Sequence, residues 1–330
     1  MSNCLYNTHD WNAVKILKDF LPDQIFDAHA HLYDKSFMQA SAPPSSYVLA
    51  DYLRDMTPLL CEPRTLRMNL ITFPDKRMGA PDSDTLAQSD AFLIEQLNAR
   101  PGNVGEIMAA PGETVEHLAA RMTHPAIRGI KCYHNLLQRS DTWNADIGEY
   151  LPESAWQLAQ EKGLYITLHM VKDNALADPG NLAYIQSMAK QYPNAVLILA
   201  HAARSFAAWT GVETVAQLAN QENIWYDLSG VCESPAMFQI LNKVSKDRVM
   251  WGSDYPVSIM RGKAISLADG FYWIYEKDLA NFSAATPIHS WLVGTENLMA
   301  VRQACIMADM TAGDIEKLFY HNAAHLFDRT

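Results

Sequence analysis

Short apolar runs of β-type composition recur along the whole chain, and between them apolar residues fall at helical spacing. The strand-type runs are Gln24–His29, Leu66–Phe73, Val104–Ala109, Ile127–Tyr133, Leu164–His169, Val196–His201, Ile224–Ser229 and Arg248–Ser253, eight in all. Leu151, Ala155, Leu158 and Ala159 stand at offsets of four, seven and eight, which is one face of a helix. Leu86, Leu93 and Leu97 mark a second helix, and Gly112–Met122 and Pro235–Val244 fit two more. Thr311 stands three residues before Asp314, predicting a capping-box start for a helix that buries Ile315, Leu318 and Phe319. Eight strand–helix units predict an α/β fold, a parallel (β/α)8 TIM barrel. A doubly wound open sheet would normally carry a glycine-rich loop after its first strand. Here the first strand runs into DAHAHLYD, with no glycine.

Three connections are too long for simple turns: Leu32–Val48, with Pro43 and Pro44, His134–Tyr150, and Tyr255–Thr295. They follow strands one, four and eight at the C-terminal ends, where barrel enzymes keep their active-site loops. The last contains Phe271, Tyr272, Trp273, Tyr275 and Trp291. These aromatics read first as a small core under the loop, with pocket lining as the alternative. Residues 1–23 read as an N-terminal extension and 24–330 as one domain.

The composition narrows the function. Of 330 residues, 49% are apolar and 19% charged, which is globular, and the formal charge is −11. That balance offers no basic face for nucleic acid or an anionic membrane, so a small-molecule substrate is expected. Cys4, Cys61, Cys132, Cys232 and Cys305 are odd in number and form no CxxC pair. They suit reduced thiols rather than a disulfide framework or a cysteine–zinc site. The N-terminus lacks the pattern of a signal peptide. The longest apolar run, Ala195–Ala203, is too short to span a bilayer and is interrupted by His201. A soluble cytoplasmic protein is the expectation.

Histidines and acids fall at the strand ends. His29 and His31 are two apart, so in a strand both imidazoles face one side and can converge on one ion. Strand five ends in His169, strand six in His201, and strand eight runs into Asp254, which shares parity with Gly252 and Met250. A single such histidine is usually a core residue. Several arriving at one barrel mouth point to a metal site. Nitrogen and oxygen ligands suit Zn2+ best, with Mn2+ or Fe2+ as alternatives.

The ordered set DAHAH (Asp27–His31), RGIK (Arg128–Lys131), LHM (Leu168–Met170), LAHAA (Leu199–Ala203), WGSDYP (Trp251–Pro256) and NAAHLF (Asn322–Phe327) resembles the amidohydrolase superfamily. The branch is amidohydrolase 2, of metal-dependent barrel hydrolases and decarboxylases, and the resemblance spans about residues 24–328. It implies that His29, His31 and His169 bind one divalent metal per chain. Asp254 then completes the shell or hydrogen-bonds the water and serves as the proton acceptor. His201 polarises the substrate or adds a ligand. Relatives of this type are often dimers, so a homodimer is the implied assembly.

Lys131 shares parity with Gly129 and Tyr133 and points into the barrel, which is costly unless the amine is paired or functional. It reads as a partner for a substrate carboxylate or a neighbouring Asp. Two-metal relatives instead carry a carboxylated lysine there. Tyr133 and His134 end the same strand as further substrate contacts. Arg204 is either a bidentate carboxylate clamp or a surface arginine at a helix start. Asp27 lies deeper and reads as a structural acid.

The resemblance implies a hydrolase that uses metal-activated water on a C–O or C–N bond of a small carboxylated molecule, a lactone or cyclic ester preferred. The runner-up is a non-oxidative decarboxylase. Such decarboxylases often have His-Gly-Gly where this chain has His201-Ala202-Ala203, which favours hydrolysis. A few relatives open lactones without metal. A non-catalytic ligand-binding barrel is disfavoured by retention of every expected ligand-type residue.

Overall fold

The computed structural model describes residues 5–38, 45–281 and 287–329, so Cys4, Pro43 and Pro44 lie outside the described residues. Eight parallel strands hydrogen-bond in chain order. They are β1 (Gln24–Leu32), β2 (Thr65–Thr72), β3 (Val104–Met108), β4 (Ile127–Cys132), β5 (Tyr165–Leu168), β6 (Val196–Leu199), β7 (Ile224–Asp227) and β8 (Val249–Met250). The barrel closes through the chain that follows β8. Ala28 N–H donates to Trp251 O at 3.0 Å, Asp254 N–H to His29 O at 2.8 Å and His31 N–H to Tyr255 O at 2.8 Å. This is the (β/α)8 architecture the alternating pattern predicts.

Strands β3 to β8 are each shorter than predicted, and at β8 and β6 the local reason is visible. After β8 the Ser253 N–H turns to the Asp27 carboxylate at 2.8 Å instead of a ladder carbonyl. After β6 the backbone leaves the extended region at His201, where φ becomes 58°.

Apolar residues divide between a large layer joining strands to outer helices and a smaller cluster at the strand starts. The second cluster joins Phe26, Val104, Tyr165 and Trp225 to Leu326 and Phe327 of the last helix (Asn322–Phe327). That helix therefore plugs the N-terminal end of the barrel and leaves the C-terminal end open for chemistry. Gly129 is required inside the barrel, because a Cβ there would lie 2.2 Å from the Tyr165 ring.

The capping box at Thr311 and Asp314 is present, with Leu318 and Phe319 buried and Ile315 partly so. In the N-terminal segment, helix Thr8–Leu17 packs against helix Val293–Met307, and its buried Asp10 pairs with Arg261 at 2.6 Å. The segment after β8 contains a hairpin that the sequence analysis did not predict, β9 (Gly262–Leu267) and β10 (Gly270–Tyr275). Cys61, Cys132, Cys232 and Cys305 are free thiols. Among the described residues, no helix is long and apolar enough to cross a membrane.

Candidate active site

The site is built on two backbone irregularities at the C-terminal end of the barrel. The first is a bulge in β1, where Ala28 and His29 together face Asn69 of β2. The His29 N–H turns to Asp27 Oδ1 at 3.0 Å. Asp27 also accepts from Ser253 N–H and, at 2.6 Å, from the Tyr52 hydroxyl. Burial raises its carboxyl to about 6 despite these bonds. Asp27 is thus a structural peg, as its depth in the strand suggests.

The second irregularity is a left-handed turn. His201, Ala202, Ala203 and Arg204 have φ of 58°, 52°, 59° and 57°. Ser205 N–H closes the turn on His201 O at 3.0 Å, and Asp227 Oδ1 accepts the His201 N–H at 3.1 Å. Residues with a Cβ resist this conformation by roughly 1–2 kcal/mol each. Ala202→Gly is therefore expected to raise stability by up to about 1 kcal/mol, and Ala202→Val to lower it by about 2 kcal/mol or more. Thermal unfolding checks both, and a right-handed turn would reverse the order.

Four imidazoles meet between these features. His29 Nε2 lies 3.1 Å from His31 Nε2, and His201 Nε2 lies 3.2 Å from His169 Nδ1. Acceptor-only partners fix three of the rings. His29 Nδ1–H donates to Asp227 Oδ2 at 3.0 Å, His31 Nδ1–H to Thr72 O at 3.2 Å and His201 Nδ1–H to Ser229 O at 3.1 Å. Burial pulls all four downward: His201 to about 3, His31 and His169 well below the ordinary value, and His29 below it against the pull of Asp227. The Nε2 lone pairs of His29 and His31 therefore face each other, an arrangement that repels unless a cation lies between them. Two nitrogens on one tetrahedral zinc stand about 3.3 Å apart, so the spacing fits. An Asp254 oxygen lies 3.9 Å from His29 Nε2 and 3.8 Å from His31 Nε2, and its other oxygen 3.9 Å from His201 Nδ1. These donors can hold a divalent metal.

Asp227 was missed in the sequence. Burial alone would raise its carboxyl, but His29 and the hydrogen bonds it accepts hold it well below the usual carboxylate range. One oxygen orients the His29 ring, and the other anchors the His201 turn and Ser229 N–H. Its signal was its place at the end of β7, facing the same mouth. Asp227→Ala is expected to weaken zinc binding about 10–100-fold. A zinc titration checks it, and unchanged affinity would remove Asp227 as the orienting partner.

A cavity of about 230 Å3 opens above the imidazoles. His31, His169, His201, Asp254, Tyr133 and Arg204 reach it. Its apolar wall includes Phe73, Trp143, Phe206, Phe271 and Trp273. The hairpin aromatics Phe271 and Trp273 thus line a pocket and pack at a tilt against Phe206, centroids 5.0 and 5.7 Å apart, rather than forming a separate small core. Tyr272 points out to solvent.

Arg204 is buried in this wall, not displayed at a surface helix start. Its guanidinium lies over Trp143 at 5.6 Å and Phe271 at 5.4 Å and donates to Lys172 O at 2.8 Å. Tyr133 stacks on His169 at 4.2 Å. Two predicted substrate contacts do not reach the cavity. His134 is packed behind Tyr133, with Nδ1 at 2.9 Å from the Thr142 hydroxyl, because the chain turns into a short helix there. Lys131 is fully buried, and its Nζ approaches His29 Nε2 at 3.2 Å rather than an Asp.

The amidohydrolase family profile matches residues 26–329. The chain belongs to that family. No curated protein matches this amidohydrolase in sequence. Solved structures share its fold. A Pseudomonas putida protein, provisionally described as a 2-pyrone-4,6-dicarboxylic acid hydrolase, aligns with TM-score 0.58 at 15% identity, covering 93% of this chain and 98% of its own. A zinc-bound amidohydrolase from Burkholderia multivorans aligns with TM-score 0.58 at 12% identity, covering 93% and 100%. A 5-carboxyvanillate decarboxylase from Novosphingobium aromaticivorans, complexed with manganese and a nitrobenzoic acid, aligns with TM-score 0.56 at 13% identity, covering 93% and 96%.

Proposed function

We propose that this amidohydrolase is a metal-dependent hydrolase acting on a C–O or C–N bond of a small carboxylated molecule, a lactone or cyclic ester being the preferred class. The observation that carries the reading is the setting of Asp254. Its carboxylate reaches the cavity, stands 3.8–3.9 Å from three imidazoles and accepts no side-chain hydrogen bond among the described residues. Both oxygens are therefore open to a water proton.

His29, His31 and His169 would hold a divalent ion, zinc by preference, which would supply a Lewis acid toward the substrate carbonyl and lower the pKa of water to about 7. Burial raises the Asp254 carboxyl to about 8, against the pull of Lys131, and positive charge beside it acts in the lowering direction. As a carboxylate it takes the water proton and returns it to the leaving oxygen or nitrogen. His201, with Nε2 3.2 Å from His169 Nδ1, serves as a further ligand or as a group beside the carbonyl. Arg204 receives the substrate carboxylate at the wall, and Tyr133 borders the ring. The aromatic wall excludes water and favours a flat molecule.

Non-oxidative decarboxylation is the alternative at the same site, supported by the fold shared with the manganese-complexed decarboxylase. His201-Ala202-Ala203 in place of His-Gly-Gly favours hydrolysis. The deciding experiment offers carboxylated lactones, cyclic esters and amides, with aromatic and unsaturated acids, to the zinc- or manganese-loaded protein. A product larger by one water, formed without carbon dioxide, supports hydrolysis. Carbon dioxide release overturns it in favour of the lyase.

A further inference from the structure

Beneath the imidazoles lie a lysine and a glutamate that the proposed chemistry does not use. Lys131 of β4 and Glu106 of β3 are both fully buried. In the ladder Glu106 pairs with Gly129 and Met108 with Lys131, so Glu106 is one inward-facing step deeper and diagonal to Lys131. A long side chain spans that diagonal. Glu106 Oε1 is held by Asn69 Nδ2 at 2.5 Å and the Thr167 hydroxyl at 2.8 Å, and the Tyr165 hydroxyl in turn holds Asn69. Among the described residues Glu106 Oε2 has no hydrogen-bond partner. Lys131 has one side-chain hydrogen bond among the described residues, to His29 Nε2 at 3.2 Å. Among the described residues no carboxylate closes to within 4.0 Å of it. Glu106 is nevertheless the acid that pulls on it most.

The His29 Nε2 lone pair thus has two claimants. Nδ1 is committed to Asp227, so this lone pair cannot accept from Lys131 and bind an ion together. An ammonium left beside the ion would also repel it. We propose that Lys131 is a displaceable counter-cation with two berths, His29 Nε2 when no ion is bound and Glu106 Oε2 when an ion takes that lone pair. Glu106 is then the positioning residue for metal loading. The Asn69–Thr167–Tyr165 chain fixes one oxygen so that the other stays open for the amine. This rests on the reading of the imidazoles as a cation site, but it assigns Lys131 as an unmodified amine that leaves the ion, not a ligand to it.

The test titrates chelator-stripped protein with Zn2+ against a competing chelating dye, using wild type, Glu106→Gln, Lys131→Met and the double variant. Glu106→Gln is expected to weaken zinc binding about 10–100-fold. Lys131→Met is expected to bind at least as tightly as wild type, and the double variant to bind like Lys131→Met. A merely structural role for Glu106 gives an equal loss in both backgrounds and overturns the proposal. So does wild-type affinity in Glu106→Gln. If Glu106→Gln does not fold, Lys131→Met decides alone: weakened binding, or loss of a second equivalent of zinc, makes the lysine a ligand or a bridge and overturns the proposal. Failure of wild type to bind zinc overturns the cation-site reading itself, and this inference with it.

Discussion

Replacing Asp254 with Asn is expected to lower kcat about 10²–10⁴-fold while most of the zinc stays bound. The substitution keeps the shape of the side chain and its place beside His29 and His31 but removes the capacity to accept a proton. The two imidazole nitrogens of β1, 3.1 Å apart, do not depend on it, since Asp227 and Thr72 O fix their rings. Zinc content by elemental mass spectrometry is therefore expected to stay near the wild-type ratio while turnover falls. Parallel loss of zinc would make Asp254 a principal ligand. A kcat within tenfold of wild type would remove it as the base.

The barrel was legible because each strand is a short apolar run bounded by a polar end, and periodicity alone separates such runs from the helices between them. His29 and His31 were legible by parity, and the bulge between Asp27 and Ala30 did not spoil the reading because both rings still converge. Asp227 was not. A single acid in the run Ile224–Ser229 resembles a helix-start residue, and only the folded chain brings it to His29, 198 positions away. The direction of Arg204 was equally hidden. It depends on consecutive positive φ angles at residues 201–204, which alanines do not advertise as glycines would. The hairpin β9–β10 was masked because its aromatics read as core. Glu106 sits in an ordinary apolar strand, and its role beside Lys131 appears only through the ladder register.

The left-handed turn gives Arg204 its expected weight. Arg204→Leu is expected to lower kcat/KM for a carboxylated substrate about 10²–10³-fold, since a desolvated charge pair broken on one side costs about 3–4 kcal/mol. The guanidinium is buried in the cavity wall between Trp143 and Phe271, and among the described residues its one hydrogen bond, to Lys172 O, leaves donors for a carboxylate. Leucine keeps the apolar bulk and removes the fork. Lysine is expected to recover only part of the loss, because a point charge neither pairs in two places nor stacks on the rings. The signature is selectivity: an uncharged ester of the same ring loses little, and zinc affinity does not change. Steady-state kinetics on the matched pair of substrates reads this directly. Equal losses on both would mean that Arg204 acts by holding the turn, and through it His201, with no part in choosing the substrate.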